Sequence, residues 1–220
     1  MMITELRFTL ITDGSSDRAF VPILKWLLRE NGVQVSLQND WPDFRRLGIP
    51  PRGLVERVVT GLDLSPCDLL FVHRDAEREP LETRKAEIEG ALAEARTRMD
   101  VPNAICVIPV RMLEAWLLFD ERAIREAAEN PHGNCSLPLP KPSKLEDLPD
   151  PKEILERLLI QASELNGRRL RQFERRLGYH KARVVEYIED FSPLRQLSAF
   201  QALEEDIRQV IQEQGWDQAQ

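Results

Sequence analysis

The sequence predicts an α/β fold, in which a parallel sheet is flanked by helices and followed by an all-helical C-terminal extension. Three observations predict it. Segments with the apolar, β-branched character of strands alternate with segments of helical periodicity from residue 5 to about 129. The connections between successive strands are long enough to hold a helix, as parallel neighbours require. After a stretch rich in proline, only helical patterns follow.

Each element has its own signal in the sequence. The predicted strands cover residues 5–12, 33–37, 67–73 and 103–110, and the third is apolar almost throughout, which is typical of a central strand buried on both faces. Helical spacing predicts helices from Ser16 to Asn31 and over residues 53–62, 80–98, 111–129, 151–165, 168–177, 181–190 and 194–213. This order divides the chain into an α/β core at 1–130, an irregular Pro-rich connecting loop at 131–150 and a helical cap at 151–220 that packs on the core.

The composition argues against a membrane protein, a secreted protein and a protein built on disulfides or zinc. Hydrophobic residues make up 42% of the chain, and no apolar run approaches the ~20 residues of a membrane helix. The N-terminal residues MMITELRF lack the pattern of a signal peptide, so we expect a cytoplasmic protein. Cys67, Cys106 and Cys135 are widely spaced and odd in number, which favours reduced structural thiols over a disulfide framework or a zinc site.

The charge is distributed unevenly along the chain. The formal net charge is −7, yet residues 168–183 carry seven basic residues against Glu174. A basic segment on an acidic protein is a candidate contact for a nucleic-acid backbone. The alternative is a solvated helix face that pairs with acidic neighbours. The predicted nucleic-acid contacts are Arg168, Arg169, Arg176, Lys181 and Arg183, of which Arg176 and Lys181 are the preferred ones.

Carboxylates follow three of the predicted strands, where open parallel sheets bind their ligands. Asp13 and Asp17 come after the first strand, Asp75 and Glu77 after the third, and Glu114 opens the helix after the fourth. The turn at Asp13-Gly14 has neither the glycines nor the lysine of a phosphate loop. Clustered carboxylates need a cation to stay ionised, and Mg²⁺ or Mn²⁺ suits oxygen ligands and leaves room for phosphate.

Each of these residues also has a purely structural interpretation. Asp17 can face the dipole of the following helix, and Asp13-Gly14 can be a plain turn. Asp120 is six residues from Glu114 and can be a surface residue. His73 has apolar neighbours and is interpreted as a core histidine. No Ser-His-Asp order, HExxH motif or Cys-His pair predicts nucleophilic or zinc chemistry.

Six segments of the chain resemble Toprim-related proteins. TDGSSDRAF resembles the first Toprim motif, a strand that ends in a Glu-Gly turn, and FVHRDAE resembles the second, a strand that ends in Asp-x-Asp. VIPVRMLEAWLLFD, DPKEIL, GYHKARV and SAFQALEEDI resemble a branch related to the nuclease domains of OLD-type proteins. The resemblance spans nearly the whole chain and implies a Toprim or Rossmann-like sheet. Asp13 replaces the usual Glu of the first motif, and Glu77 replaces the second Asp of the other.

The resemblance implies a Mg²⁺-dependent nuclease in which Asp13, Asp75, Glu77 and Glu114 form the metal-binding and catalytic set. It also implies an ATPase partner and a role in defence against phage, with DNA a more natural substrate than RNA. The alternative is a non-catalytic subunit of Toprim fold that binds the ATPase partner, which the replacements at Asp13 and Glu77 favour. Phosphoryl transfer on a small nucleotide is a third hypothesis, without a Walker or base-binding element in its support.

Overall fold

The computed structural model describes residues 3–14, 16–76 and 79–218, with the side chain of Ser16 left out. The chain forms two compact units, one of Met1–Ile108 with Gln201–Gln220 and one of Pro109–Phe200. This division differs from the boundaries predicted at residues 130 and 150. The polypeptide leaves the first unit directly after its last strand, and its C-terminal residues return to that unit.

The first unit is built on a parallel sheet. Its strands are β1 (Glu5–Ile11), β2 (Ser36–Asp40), β3 (Leu69–His73) and β4 (Asn103–Val107). Within the described residues they form a four-stranded sheet in the order β2-β1-β3-β4, and every adjacent pair is parallel. All five residues of β3 are buried, as predicted for the segment 67–73. The predicted α/β fold with a parallel sheet flanked by helices is confirmed.

Helices cover both faces of this sheet. They are α1 (Phe20–Glu30), which follows a 3-10 helix at Ser16–Ala19, then α2 (Gly53–Leu64), α3 (Leu81–Arg96) and the later part of α8 (Ser198–Gln214). On one face, buried residues of α2 and α3 pack with Ile11, Leu70 and Val72. On the other face, the ring of Phe20 at the start of α1 lies 4.4 Å from that of His73. Because side chains alternate between the two faces along each strand, both faces of the sheet present apolar side chains to the helices.

Two of the predicted strands differ in detail from the observed ones. β2 begins at Ser36, whereas alternation predicted residues 33–37. The guanidinium of Arg29 donates to the carbonyl oxygens of Val33 and Val35, each at 2.7 Å, and so holds this segment against the end of α1. β4 lies at the edge of the described sheet, and its residues alternate between buried and more exposed positions. Residues 108–110 lie beyond the end of β4.

The second unit is helical. It contains α4 (Glu121–Ala127), α5 (Pro151–Ser163), α6 (Gly167–Glu174), α7 (Leu177–Tyr187), the first residues of α8 and 3-10 helices at Leu113–Leu117, Pro142–Asp147 and Ser192–Gln196. The continuous helix predicted for 111–129 is wrong. Asp120 adopts an extended conformation and its carboxylate accepts the N–H of Ala123 at 2.9 Å, so it caps a new helix. Asp120 therefore has a structural role.

The Pro-rich segment at 131–150 contacts the helices on either side of it. Arg125 donates to the carbonyl oxygen of Cys135 at 2.5 Å, and Glu164 accepts the N–H of Cys135 at 2.9 Å. Leu137 and Leu145 are buried. Polar contacts to the backbone and two apolar anchors therefore fix the loop to α4 and α5. In the described part of the chain, no helix has both the length and the apolar character needed to cross a membrane.

Candidate functional site at the carboxyl ends of the central strands

The predicted site residues of the first unit lie where β1 and β3 end. These strands are adjacent, and the register pairs Ile11 with Val72. Asp13 therefore emerges beside Arg74 and Asp75 at one edge of the sheet, because parallel strands end on the same side. The structure brings Asp13 and Asp75 to this edge as the sequence predicted.

Two arginines hold the carboxylate of Asp13. Its Oδ1 atom contacts Nη1 of Arg57 from α2, and its Oδ2 atom lies 3.0 Å from Nε of Arg74. Arg57 also donates to the carbonyl oxygen of Thr12 at 3.3 Å. The side chain of Asp13 is 45% exposed, whereas those of Arg57 and Arg74 are about one quarter exposed. Sequence reasoning missed both arginines, although Arg74 follows β3 directly and stands next to Asp75.

The turn after β1 is closed by side chains. Asp17 accepts the N–H of Gly14 at 2.9 Å, and the hydroxyl of Thr12 donates to the carbonyl oxygen of Gly14 at 2.9 Å. The indole N–H of Trp41 donates to the same hydroxyl at 3.0 Å. Asp17 is 8% exposed, which agrees with the structural interpretation of this residue. These contacts fix the position of Asp13 on the turn.

His73 lies beneath the carboxylates and is 2% exposed. Its Nδ1–H donates to the carbonyl oxygen of Val107 at 2.8 Å, and its Nε2 atom lies 3.5 Å from Asp75 Oδ1 and 3.9 Å from Asp17 Oδ2. Burial lowers the pKa of His73, and the negative charge of Asp17 opposes that shift. The interpretation of His73 as a core histidine is confirmed by its burial, and its ring also contributes to the electrostatics of the site.

A small cavity of about 90 Å³ opens beside Asp13. It is lined by Thr12, Asp13, Gly14, Trp41, Pro42, Asp43, Phe44, Arg45, Pro50, Pro51 and Arg57. Since a water molecule occupies about 30 Å³ in the liquid, the cavity has room for a chemical group of a few atoms. Its charged side chains are paired with one another, since Arg57 contacts Asp13 and Arg45 donates to Asp43 at 2.7 Å.

The fit of this edge to Mg²⁺ rests on its donor chemistry. Asp75, with a side chain 33% exposed, and Asp13 both offer the carboxylate oxygens that Mg²⁺ prefers. Mg²⁺ is usually bound by only one or two protein carboxylates. Asp13 and Asp75 therefore provide enough ligands of the kind that Mg²⁺ prefers. Among residues 3–14, 16–76 and 79–218, no three His, Cys, Asp or Glu side chains are already arranged to hold a metal ion. Glu77, the remaining predicted ligand from this loop, lies outside the described residues.

Glu114 belongs to the second unit. It lies in the 3-10 helix Leu113–Leu117, where it is half-buried between residues that are fully buried. Its neighbour Trp116 contacts Phe200 edge to face, with ring centroids 5.3 Å apart. The role of Glu114 as a further acidic ligand stays a prediction.

The predicted nucleic-acid contacts lie on α6, on α7 and at the junction between them. Arg168 and Arg169 are exposed, and Arg176 is exposed with its Nη2 atom 3.8 Å from Glu129 Oε1. Lys181 differs, because its ammonium pairs with Glu156 at 2.6 Å and its side chain is only 15% exposed. Arg183 is half-buried against two tyrosine rings. The arginines are therefore more accessible to a ligand than Lys181.

Comparisons with known proteins do not assign the chain to a family. No protein-family model matches the chain, and neither the curated proteins nor the solved structures contain a match.

Proposed function

We propose that the protein is a Mg²⁺-dependent or Mn²⁺-dependent enzyme that cleaves phosphodiester bonds of nucleic acid, with a Toprim-like core. One observation carries the proposal. The carboxylates of Asp13 and Asp75 lie at one edge of the sheet, where the two central strands end, and Arg74 beside them and Arg57 from α2 both pair with Asp13. Carboxylates provide ligands for a divalent cation, and guanidiniums provide bidentate donors for the phosphate of the substrate.

Asp13 and Asp75 would hold the ion, and the resemblance implies Glu77 as a further acidic member. The resemblance also implies an acidic role for Glu114, which belongs to the second unit. A bound divalent cation polarises a phosphoryl oxygen and lowers the pKa of a bound water. The proposed assignment requires the carboxylate of Asp13 to leave its arginines when it binds the cation. A substrate phosphate could then accept the hydrogen bonds that Arg57 and Arg74 donate to Asp13.

His73 and Asp17 would position the carboxylates at this edge of the sheet. His73, fixed by its hydrogen bond to Val107, places its Nε2 atom 3.5 Å from Oδ1 of Asp75 and would help to position that carboxylate. Asp17 holds the turn that carries Asp13. Both residues are positioning residues in this proposal, because each is buried and acts through a neighbouring carboxylate. The exposed arginines of α6 and α7 would contact the backbone of the nucleic acid.

The wider setting follows from the resemblance and from the cysteines. We include an ATPase partner and a role in phage defence in the proposal, with DNA as the expected substrate. Cys67, Cys106 and Cys135 are free thiols. Thiols stay reduced in the cytoplasm, which is where a nucleic-acid enzyme of this kind would act.

The test is a cleavage assay on single-stranded and duplex DNA with Mn²⁺ or Mg²⁺, which compares the wild type with Asp75→Asn. This substitution keeps the size of the side chain and removes its charge, so we expect cleavage to fall by about 100-fold or more, as when a charge-stabilising group is lost. Asp63→Asn is the matched control, because Asp63 is an exposed carboxylate on α2. Equal activity of Asp75→Asn and wild type would overturn the proposal.

A non-catalytic subunit is the second candidate, and the geometry of Asp13 favours it. Both oxygens of this carboxylate are engaged by arginines, which makes a compact ion-paired cluster without a metal ion. Such a protein would use its α/β core to bind an ATPase partner. Calorimetric titration with Mn²⁺ distinguishes the two candidates, because the enzyme requires a site and the scaffold shows no heat of binding.

A further inference from the structure

One face of α7 carries an alternating row of arginine and tyrosine. Arg176 occupies the position before the first residue of the helix, and Tyr179, Arg183 and Tyr187 follow at intervals of three or four residues, so the four side chains lie on one face. The guanidinium carbons of Arg176 and Arg183 lie 5.0 Å and 5.5 Å from the centre of the Tyr179 ring. Arg183 also lies 4.9 Å from the centre of the Tyr187 ring. We call these four residues the Arg-Tyr row.

Arg176 and Tyr179 of the row are exposed, Arg183 and Tyr187 are half-buried, and the helix that carries them is firmly anchored. Tyr179 is 49% exposed, although large apolar side chains of the described residues are mostly buried. The next residue, His180, is 1% exposed, stacks on Phe173 with ring centroids 4.1 Å apart, and donates to the carbonyl oxygen of Ala127 at 2.9 Å. Because His180 holds α7 to its neighbours, Tyr179 is presented to solvent from a rigid support.

The positive charge around the Arg-Tyr row indicates what kind of ligand it would bind. Arg168, Arg169, Arg171 and Arg175 are exposed, and none of them forms an ion pair with another described residue. Opposing carboxylates near the row are few. Glu129 lies 3.8 Å from Arg176, and Glu186 lies 3.6 Å from Arg183, both beyond good hydrogen-bond distance. A surface with this excess of guanidinium groups attracts a polyanion.

We infer that the Arg-Tyr row binds single-stranded nucleic acid. Arg176 or Arg183 would move from the Tyr179 ring to a phosphate, and an unpaired base would stack on the ring face that the arginine leaves. The inference deepens the proposed function, on which its choice of substrate class rests. Arginines would bind the phosphates of a duplex equally well, whereas an aromatic ring needs a base that has left its stack. Tyr179 and Tyr187 are about 12 Å apart along the helix axis, far more than the ~3.4 Å between stacked bases. The row therefore fits splayed bases.

The test measures binding by fluorescence anisotropy in EDTA, with a labelled oligothymidylate and with a duplex of equal length. Metal-free binding is independent of cleavage, so this experiment can fail while the proposed function stands, and the reverse also holds. We expect Tyr179→Ala to weaken binding of the single strand about 5- to 150-fold, since stacking on one aromatic contributes about 1–3 kcal/mol per base. Binding of the duplex should stay within about twofold of the wild type.

Two further variants distinguish a loss of base stacking from a general loss of nucleic-acid binding at this surface. Tyr179→Phe keeps the ring and should bind the single strand as the wild type does. Arg176→Met removes one charge and should weaken binding of both nucleic acids and reduce the salt dependence. Circular dichroism confirms that each variant is folded. Unchanged binding of the single strand by Tyr179→Ala, an equal loss for the duplex, or a wild type that binds neither nucleic acid at low salt would each overturn the inference.

Discussion

The Nε atom of Arg74 lies 3.0 Å from the Oδ2 atom of Asp13, so an ion pair joins the ends of the two central strands. Arg57 completes the pairing from α2. Asp13 is therefore bound to protein cations at the position where the sequence predicts a metal ligand. The arrangement creates a competition in which a divalent cation and the two arginines require the same carboxylate. This competition gives the first prediction.

Substitution of Arg74→Met should tighten the binding of Mn²⁺ and slow cleavage. The competing cation is removed, and because the pair is partly exposed its loss should lower the Kd for Mn²⁺ by about fivefold, equivalent to ~1 kcal/mol. The same change removes a donor to the substrate phosphate, so the cleavage rate at saturating Mn²⁺ should fall. Calorimetry and a cleavage assay measure the two effects.

Arg98→Met is the matched control for this experiment. The guanidinium of Arg98 pairs with Glu56 and Glu94, away from Asp13. It should leave both the Kd for Mn²⁺ and the cleavage rate unchanged. Weaker binding of Mn²⁺ by Arg74→Met would show that the arginine supports the site instead of competing for it.

A pair of glycine substitutions tests the packing of α2 on the sheet. A Cβ atom at Gly61 would overlap the Cδ1 atom of Ile11 at the end of β1. Gly61→Ala should therefore lower the free energy of unfolding by about 1–3 kcal/mol through overpacking. Gly90 lies in α3, and a methyl group added there would meet no heavy atom within 4 Å. Gly90→Ala should therefore raise the free energy of unfolding by roughly 0.5–1 kcal/mol.

Chemical denaturation in urea measures both glycine variants. The result that would contradict this packing is a Gly61→Ala protein as stable as the wild type. Loss of stability in both variants would instead point to an effect of alanine that is independent of the contact with Ile11.

The thiol of Cys106 gives a prediction about pH. Burial raises the pKa of Cys106 from 9.0 to about 11, with a smaller contribution from Glu89. At pH 8 the native protein should then hold about 100-fold less thiolate at this position than the unfolded chain. Alkylation by iodoacetamide should be correspondingly slow, and its rate should continue to increase with pH above 9.

The same shift links stability to pH. The folded state keeps the proton of Cys106 between pH 9 and about 11, where the unfolded chain has lost it. This contribution to stability is therefore complete below pH 9 and is lost as the pH rises through that window. Mass spectrometry of native and urea-unfolded protein measures the alkylation of each cysteine. A native Cys106 that is alkylated at pH 8 as fast as in urea would contradict the prediction.

The sequence predicted those features that depend on local pattern. The apolar run at 67–73 indicated a buried central strand, and β3 is buried at every position. The alternation of strands and helices indicated a parallel sheet, and that order placed Asp13 and Asp75 at one edge. These predictions succeeded because the side-chain periodicity of each segment and the chirality of its connections constrain the fold.

Features that depend on packing between distant segments were not predictable in the same way. Arg57 reaches Asp13 only because α2 packs beside β1, and the periodicity of α2 describes its buried face alone. The false prediction of a helix over 111–129 has a related cause. Helical spacing continues through Asp120, but the capping of Ala123 by its carboxylate divides the segment. Local spacing does not reveal such a competition between a side chain and the helical backbone.

The most direct test of the central claim is a crystal structure of the protein soaked in Mn²⁺, with anomalous scattering to locate the ion. The proposed enzyme predicts an anomalous peak bound by the carboxylates of Asp75 and Asp13, with Asp13 released from Arg57 and Arg74. The contradicting result is a saturated crystal with no peak at this edge of the sheet and with both arginines still paired to Asp13.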